Sequence, residues 1–274
     1  MVPLPQATAR VGIQSRGPAV TISDFSCANL VVTRPPEDPQ PIEFMLPSLS
    51  TSVPKIISFD CYGTLVQWHE VLRAHIADVL AHHPIGHVDP ADVLATFSTH
   101  SRKLEAQRPH LLYKTILRQG FASAFRDHGV AASADDVERV AESIKTMGPH
   151  PDTVEVLARL KARYRLAIFT NSDDDLIAHN LRLLKVPFDH VITAEQAGAY
   201  KPDRRLFEHA WRVMGVERNE TVHVAMGMEL DMQACHALGL RGVWINRLGA
   251  TGVAAWKPYE ELPDLRALPA MLDA

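Results

Sequence analysis

Lys55–Asp60 reads KIISFD, a short apolar and β-branched run that ends on an acid. A continuous apolar run of this length fits a strand buried on both faces, as in a parallel sheet, better than an alternating half-exposed one. The period then changes. Helical spacing of apolar positions spans roughly Trp68–Ala81, Pro90–Glu105, Leu111–His128 and Ala134–Thr146, with no convincing strand among them. Ser133, followed by Asp135 and Asp136, offers the last of these an N-cap. From there helix and strand alternate. Helices are predicted at Asp152–Arg163, Asp174–Leu184, Arg204–Met214, Leu230–Leu238 and Asp264–Leu272, and strands at Leu166–Thr170, His190–Thr193, Thr221–Ala225 and Gly242–Ile245. Strands separated by helices of 10–15 residues imply a parallel sheet covered on both faces. The predicted fold is therefore α/β, a doubly wound parallel sheet, with a helical block inserted after the first strand. That block would cap the carboxyl ends of the strands, where open α/β sheets bind ligands.

The first fifty residues break this rhythm. Eight of the chain's 19 prolines lie there, at Pro3, Pro5, Pro18, Pro35, Pro36, Pro39, Pro41 and Pro47. Proline lacks an N–H and biases its predecessor away from helix, so no long helix or central strand is expected. Residues 1–52 read as an extended arm or leader with one short strand near Asn29–Thr33, and Met45 reads as an alternative start. A chain beginning near Met45 is expected to keep any activity. The expected organisation is an α/β core of residues 53–66 and 149–274 and a cap of residues 67–148.

Composition narrows the function. With 28 Lys and Arg against 32 Asp and Glu, the net charge is −4, which gives no drive toward a phosphate backbone, so nucleic acid is not an expected partner. No apolar run approaches the roughly 18 residues that span a bilayer, so no membrane partner is expected either. Cys27, Cys61 and Cys235 are scattered and odd in number. They predict small buried hydrophobes in a reducing, cytoplasmic compartment rather than a disulfide framework.

Polar residues stand at matching strand ends. Asp60 ends the first strand and is followed by Cys61, Tyr62, Gly63, Thr64 and Leu65. Alone, such an acid could be a nucleophile, a metal ligand or a helix cap. Thr170, Asn171 and Ser172 end the second strand, Lys201 precedes a helix after the third, and Glu229 and Asp231 follow the fourth. In a parallel sheet these loops open on one edge. A carboxylate, an amide, hydroxyls, an ammonium and a second carboxylate therefore converge.

The strings FDCYGTL (Phe59–Leu65), IFTNS (Ile168–Ser172), AYKPD (Ala199–Asp203) and the stretch His223–Arg247, in this order and with a helical insertion after the first, resemble the haloacid dehalogenase superfamily. Tyr62, two residues after Asp60, resembles the type II 2-haloacid dehalogenases. The resemblance spans about residues 53–274. It implies a Rossmann-like core and metal-independent hydrolysis of a small 2-haloacid. Asp60 would be the nucleophile that forms an aspartyl ester, with no cofactor, no metal ligand set and a homodimeric assembly. It further implies that Lys201 favours ionised Asp60, that Asp231 holds Lys201 or positions the water, and that Thr64 orients the nucleophile. Tyr62, Thr170, Asn171 and, from the cap, His100 would bind substrate. Spacing places His100, not Arg102 or Arg108, where the family carries a halide-binding Arg.

The chain departs from the family at Phe207, where the family has Tyr, and at Met226 and Met228, where it has Ser and Asn. Displacement on Asp60 is then expected to survive while substrate recognition differs. Three alternatives follow: a superfamily hydrolase acting on another carbon–leaving-group bond, a Mg²⁺-dependent phosphatase, or a non-catalytic binding protein. A phosphatase needs a proton for its alkoxide leaving group and carboxylates for Mg²⁺, yet Tyr62 and Met226 occupy those positions, leaving Glu229 as a substitute ligand. Elsewhere, His82, His83 and His87 read as a cap turn and His223 as a satisfied strand-end histidine. Asp173–Asp175 read as acids at the N-terminus of the following helix, and Trp68, Trp211, Trp244 and Trp256 as packing residues, with Trp68 free to face the cap–core cleft.

Overall fold

A computed structural model of the chain describes residues 53–83 and 86–273. Six strands form one parallel sheet in the order β3-β2-β1-β4-β5-β6: β1 (Ile56–Phe59), β2 (Arg165–Thr170), β3 (His190–Thr193), β4 (Thr221–Ala225), β5 (Arg241–Ile245) and β6 (Glu260–Leu262). Ile56, Ile57, Ser58 and Phe59 are all buried, as a central strand covered on both faces requires. The order reverses at β1, flanked by β2 on one side and β4 on the other. The crevice at their carboxyl ends is the switch point at which such sheets bind ligands.

Between β1 and β2 the chain makes α1 (Trp68–Ala81), α2 (Pro90–Glu105), α3 (Tyr113–Asp127) and α4 (Ala134–Glu142). Asp89 caps α2, and Ser133 with Asp136 forms a capping box at α4. Phe97 of α2 stacks on Phe121 of α3 with ring centroids 3.9 Å apart. Gly120 permits this approach, since a Cβ there would lie 2.9 Å from the Phe97 ring. The insertion leaves the core at Val66 and returns at Pro149, and these two residues bridge as an antiparallel pair.

Helices α5 (Thr153–Lys161), α6 (Asp174–Leu184), α7 (Ala194–Ala197), α8 (Arg204–Met214), α9 (Gln233–Leu238) and α10 (Leu268–Leu272) complete the layers. Several boundaries differ from expectation. The fourth cap helix tightens into a 3₁₀ turn at Ser143–Thr146, the helix expected from Leu230 begins as a π turn at Met228–Met232, and the last helix starts at Leu268. Strand β6 and the single-turn α7 were not expected, being too short to show a period. The strand expected near Asn29–Thr33 lies outside the described residues.

Asp173 stands at the N-cap position of α6, with Asp174 and Asp175 in its first turn as expected, and it has a second role. It makes no side-chain bond to α6, the helix it precedes. Its carboxylate instead accepts from the backbone N–H groups of Tyr113, at 2.7 Å, and Lys114, at 2.9 Å. A core acid thus caps the first turn of α3, and Lys114 returns an ion pair to Asp175.

Candidate active site

Asp60 leaves β1 where Gly63, at φ 87°, turns the chain back under its own carboxylate. That turn brings Thr64 round to donate its hydroxyl to Asp60 Oδ2 at 2.7 Å. The same oxygen of Thr64 accepts from the Met226 N–H at 2.9 Å, tying the loop after β1 to the end of β4. Arg247 completes the clamp from beyond β5. It donates to the Thr64 carbonyl and, through both Nη atoms, to Asp152.

Lys201 is buried, and its Nζ donates to Asp60 Oδ1 at 2.8 Å and to Asp231 Oδ1 at 2.6 Å. The Asn171 side chain holds its backbone on both sides, accepting from Lys201 N at 2.7 Å and donating to Lys201 O at 3.1 Å. Burial disfavours charge on Lys201, but Asp231 and Asp60 outweigh it and raise the ammonium above its ordinary pKa. Burial pushes the Asp60 carboxyl upward against the pull of Lys201. Burial also opposes ionisation of Asp231, but there Lys201 and a hydrogen bond from His223 prevail and hold the carboxyl below its usual range. The cluster therefore carries its charges only as a set.

Asp60 opens into a cavity of about 240 Å³ between sheet edge and cap. The core contributes Tyr62, Asn171, Lys201, Met226, Gly227, Leu230 and Asp231 to its wall, and the cap Trp68, His69, Phe97, Ser98, Ser101, Arg102, Glu105 and Tyr113. The Tyr62 hydroxyl donates to Asn180 Oδ1 at 2.9 Å. Burial pushes the Glu105 carboxyl up to about 7, against a hydrogen bond from Ser101 at 3.0 Å. A larger space of about 480 Å³ shares Arg102, Glu105, Lys201 and Leu230 with the first and continues past Arg108, Asp203 and Glu229.

The structure thus brings together Asp60, Thr64, Lys201, Asp231, Tyr62 and Asn171. It does not bring in His100, which pairs with Asp127 of α3 at 2.7 Å on the outer side of the cap. Arg102, one residue stripe away on α2, faces the cavity instead and pairs with Glu229. Thr170 is buried at the end of β2, off the cavity wall, and its hydroxyl has no partner among the described residues. Glu229 is engaged by Arg102 and lines the outer space rather than the Asp60 cavity. Among the described residues, no group of three or more His, Cys, Asp or Glu side chains converges as a metal site. Sequence reasoning missed Glu105, although Ser98, Ser101, Arg102 and Glu105 recur at i, i+3, i+4 and i+7, the mark of one helix face. His223, expected as a satisfied strand-end histidine, has partners on both ring nitrogens but lies mid-strand in β4, where it bonds to Asp231 at 2.9 Å.

Known proteins resemble the chain in sequence and in fold. Residues 54–239 match the haloacid dehalogenase-like hydrolase family. The chain is 26% identical over 200 residues to (S)-2-haloacid dehalogenase 4A of Burkholderia cepacia, covering 70% of this chain and 82% of the relative. It is 27% identical over 215 residues to the (S)-2-haloacid dehalogenase of Pseudomonas sp. strain YL, covering 71% and 84%. The L-2-haloacid dehalogenase of Xanthobacter autotrophicus, solved with chloropropionic acid covalently bound, superposes with a TM-score of 0.67 at 18% identity, over 80% of this chain and 98% of that one. The family match spans more than half of the chain, and the fold agrees with it in sheet and cap: the chain belongs to the haloacid dehalogenase-like hydrolases.

Proposed function

We propose that the chain is a hydrolytic dehalogenase of small 2-haloacids, acting through an aspartyl ester on Asp60 without a metal ion. One observation carries this reading. The Asp60 carboxylate is held at both oxygens, by Thr64 and Lys201, at the floor of the cavity between sheet and cap, while the position two residues on is Tyr62. A carboxylate so fixed attacks along one line, and the ammonium favours its ionised form against the burial that raises its pKa. Halide leaves without a proton, so the absence of an acid at Tyr62 costs this reaction nothing. An alkoxide would need one. The thioether of Met226 is a soft group beside the nucleophile and a poor ligand for Mg²⁺.

In the first step Asp60 attacks the halogen-bearing carbon, the carbon–halogen bond breaks, and halide departs. In the second, water attacks the ester carbonyl and the hydroxy acid leaves. Tyr62 and Asn171 line the substrate space, and Trp68, Phe97 and Tyr113 exclude water during displacement. The function of the relatives supports this reading, as do the carried-over nucleophile, lysine and final acid. We place the enzyme in the cytoplasm, on the buried free thiols of Cys61 and Cys235, and as a homodimer, by family resemblance. No helix among the described residues is long and apolar enough to cross a membrane.

The test offers purified protein (S)-2-chloropropionate and p-nitrophenyl phosphate, each with and without EDTA. Chloride release that survives EDTA and vanishes in Asp60→Ala is expected. Phosphate release that depends on Mg²⁺ overturns the reading.

A further inference from the structure

His223 sits in the buried cluster, yet displacement at Asp60 makes no use of it. It occupies the middle of β4, fully buried, stacked on Phe169 at 5.5 Å between centroids and met edge-on by Phe207 at 5.7 Å. A leucine would fill such a slot without the cost of burying two ring nitrogens. Both nitrogens are instead employed. Nε2 lies 2.9 Å from Asp231 Oδ1, and Nδ1 lies 2.9 Å from Ser58 Oγ.

The chemistry of the partners assigns the protons. An ionised Asp231 only accepts, so Nε2 carries a hydrogen and donates it. Ser58 Oγ lies 3.2 Å from the Val222 carbonyl as well. The hydroxyl can donate to Nδ1, or turn to Val222 and accept from Nδ1–H. The strand therefore satisfies the ring in either protonation state.

The consequence falls on Asp231. Its Oδ1 receives two donors, Lys201 Nζ and His223 Nε2. With Lys201 alone, either oxygen could turn onto the ammonium. With both, the carboxylate has one seating, and Oδ2 is the oxygen left over. Oδ2 lies against Gly227, where a Cβ would overlap it, and both Gly227 and Asp231 line the cavity above Asp60.

We propose that His223 is a positioning residue for the second half of the reaction, fixing Asp231 so that Oδ2 faces the hydrolytic water. This rests on the dehalogenase reading. In that step a water O–H bond breaks and its proton passes to Asp231 Oδ2. The water oxygen bonds to the ester carbonyl carbon of Asp60. The bond from that carbon to the alkyl oxygen then breaks, and the departing hydroxy acid takes the proton back from Asp231. The acid left on Asp60 loses its proton to solvent. The first half, attack of Asp60 on carbon, needs neither Oδ2 nor His223.

Rapid-quench kinetics with (S)-2-chloropropionate test the assignment on wild type, His223→Leu and His223→Gln. The Gln amide nitrogen reaches the place of Nε2. In His223→Leu, one chloride per active chain is expected in a burst, then turnover slowed about 10- to 100-fold. The Asp60 peptide is expected to carry the ester mass, and His223→Gln to recover most of the lost rate. Equal slowing of burst and turnover, unchanged turnover, or His223→Gln no better than His223→Leu overturns the role. If His223→Leu does not fold, His223→Asn, whose amide stops at the place of Nδ1, takes its part against His223→Gln. A wild type that releases no chloride overturns the dehalogenase reading, and this role with it.

Discussion

Gly227 and Asp231 meet so closely that no side chain fits between them: a Cβ on Gly227 would overlap Asp231 Oδ2. Gly227 has φ −74°, a backbone that alanine adopts freely, so the demand is for space alone. Gly227→Ala is expected to fold and to push Asp231 off its donors. Misplacement of a reacting group by about 1 Å costs on the order of 100-fold. Steady-state kcat on (S)-2-chloropropionate, with circular dichroism as the folding control, checks it. Wild-type kcat contradicts the contact.

Lys201 neutralises two buried carboxylates, whereas Asp60 shares Lys201 with Asp231. Removing one partner of a buried pair costs about 3–5 kcal/mol, because a charge is left uncompensated. Lys201→Met strands two acids, but Asp60→Asn leaves Lys201 paired with Asp231. Both variants are expected to lose halide release, and Lys201→Met to melt at the lower temperature. The reverse order in calorimetry would contradict the charge set.

Glu105 makes activity depend on pH in a definite direction. Burial raises its carboxyl to about 7, so it is neutral below that value and ionised above it. It shares the cavity wall with Asp60, into which the proposed 2-haloacid would bring its own carboxylate. As pH rises through about 7, a like charge appears there, and kcat/KM for a 2-haloacid is expected to fall. Glu105→Gln should flatten that limb. Stability has the same sign: the folded protein holds this proton more tightly than the unfolded chain, so stability falls between about 4.5 and 7 as pH rises. A pH–rate profile unchanged by Glu105→Gln counts against this assignment.

Arg102 of the cap and Glu229 of the core pair across the mouth shared by the two spaces, each about half exposed at 53%. Exposed pairs are worth roughly 0–1 kcal/mol, so neither Arg102→Ala nor Glu229→Gln should unfold the protein. Their effect belongs to binding. Arg102 has its charge spent on Glu229, so Glu229→Gln should lower KM for an anionic substrate and Arg102→Ala should raise it. Opposite shifts in KM, shrinking as salt is added, are expected.

His100→Ala should leave kcat and KM within about twofold, since surface changes away from such features are usually small. The residue choice on α2 is where the sequence misled and where it also held the answer. Counting from a family position selected His100, but counting fails when cap lengths differ. Helical phase separates the two faces: Thr96 and His100 share the stripe that meets Asp127 of α3 and His128 just after it. Ser98, Ser101, Arg102 and Glu105 form the stripe that meets the substrate space. The parallel sheet was legible because short strand runs alternate with helices of 10–15 residues, and Asp60, Lys201 and Asp231 because each lies in a loop that follows a strand. The Edge strand β6 has only three residues and no readable period. Asp173 could not be assigned to α3 from sequence, because its partners stand about sixty positions upstream. His223 looked inert because strand position alone does not reveal that Asp231 folds back onto it.

Ser98, Ser101, Arg102 and Glu105 present one face of α2 to the cavity, and Phe97 beside them both lines the cavity and stacks on Phe121 over Gly120, which holds the helix in place. Asp60, Lys201 and Asp231 come from the loops after the strands, whereas Ser98, Ser101, Arg102 and Glu105 come from the cap. Exchange of Ser98, Ser101, Arg102 and Glu105 therefore changes the cavity wall without touching Asp60, Lys201 or Asp231. Under the proposed dehalogenase reading, a library restricted to this helix face varies the cap wall of the substrate space while the Asp60 cluster stays as it is.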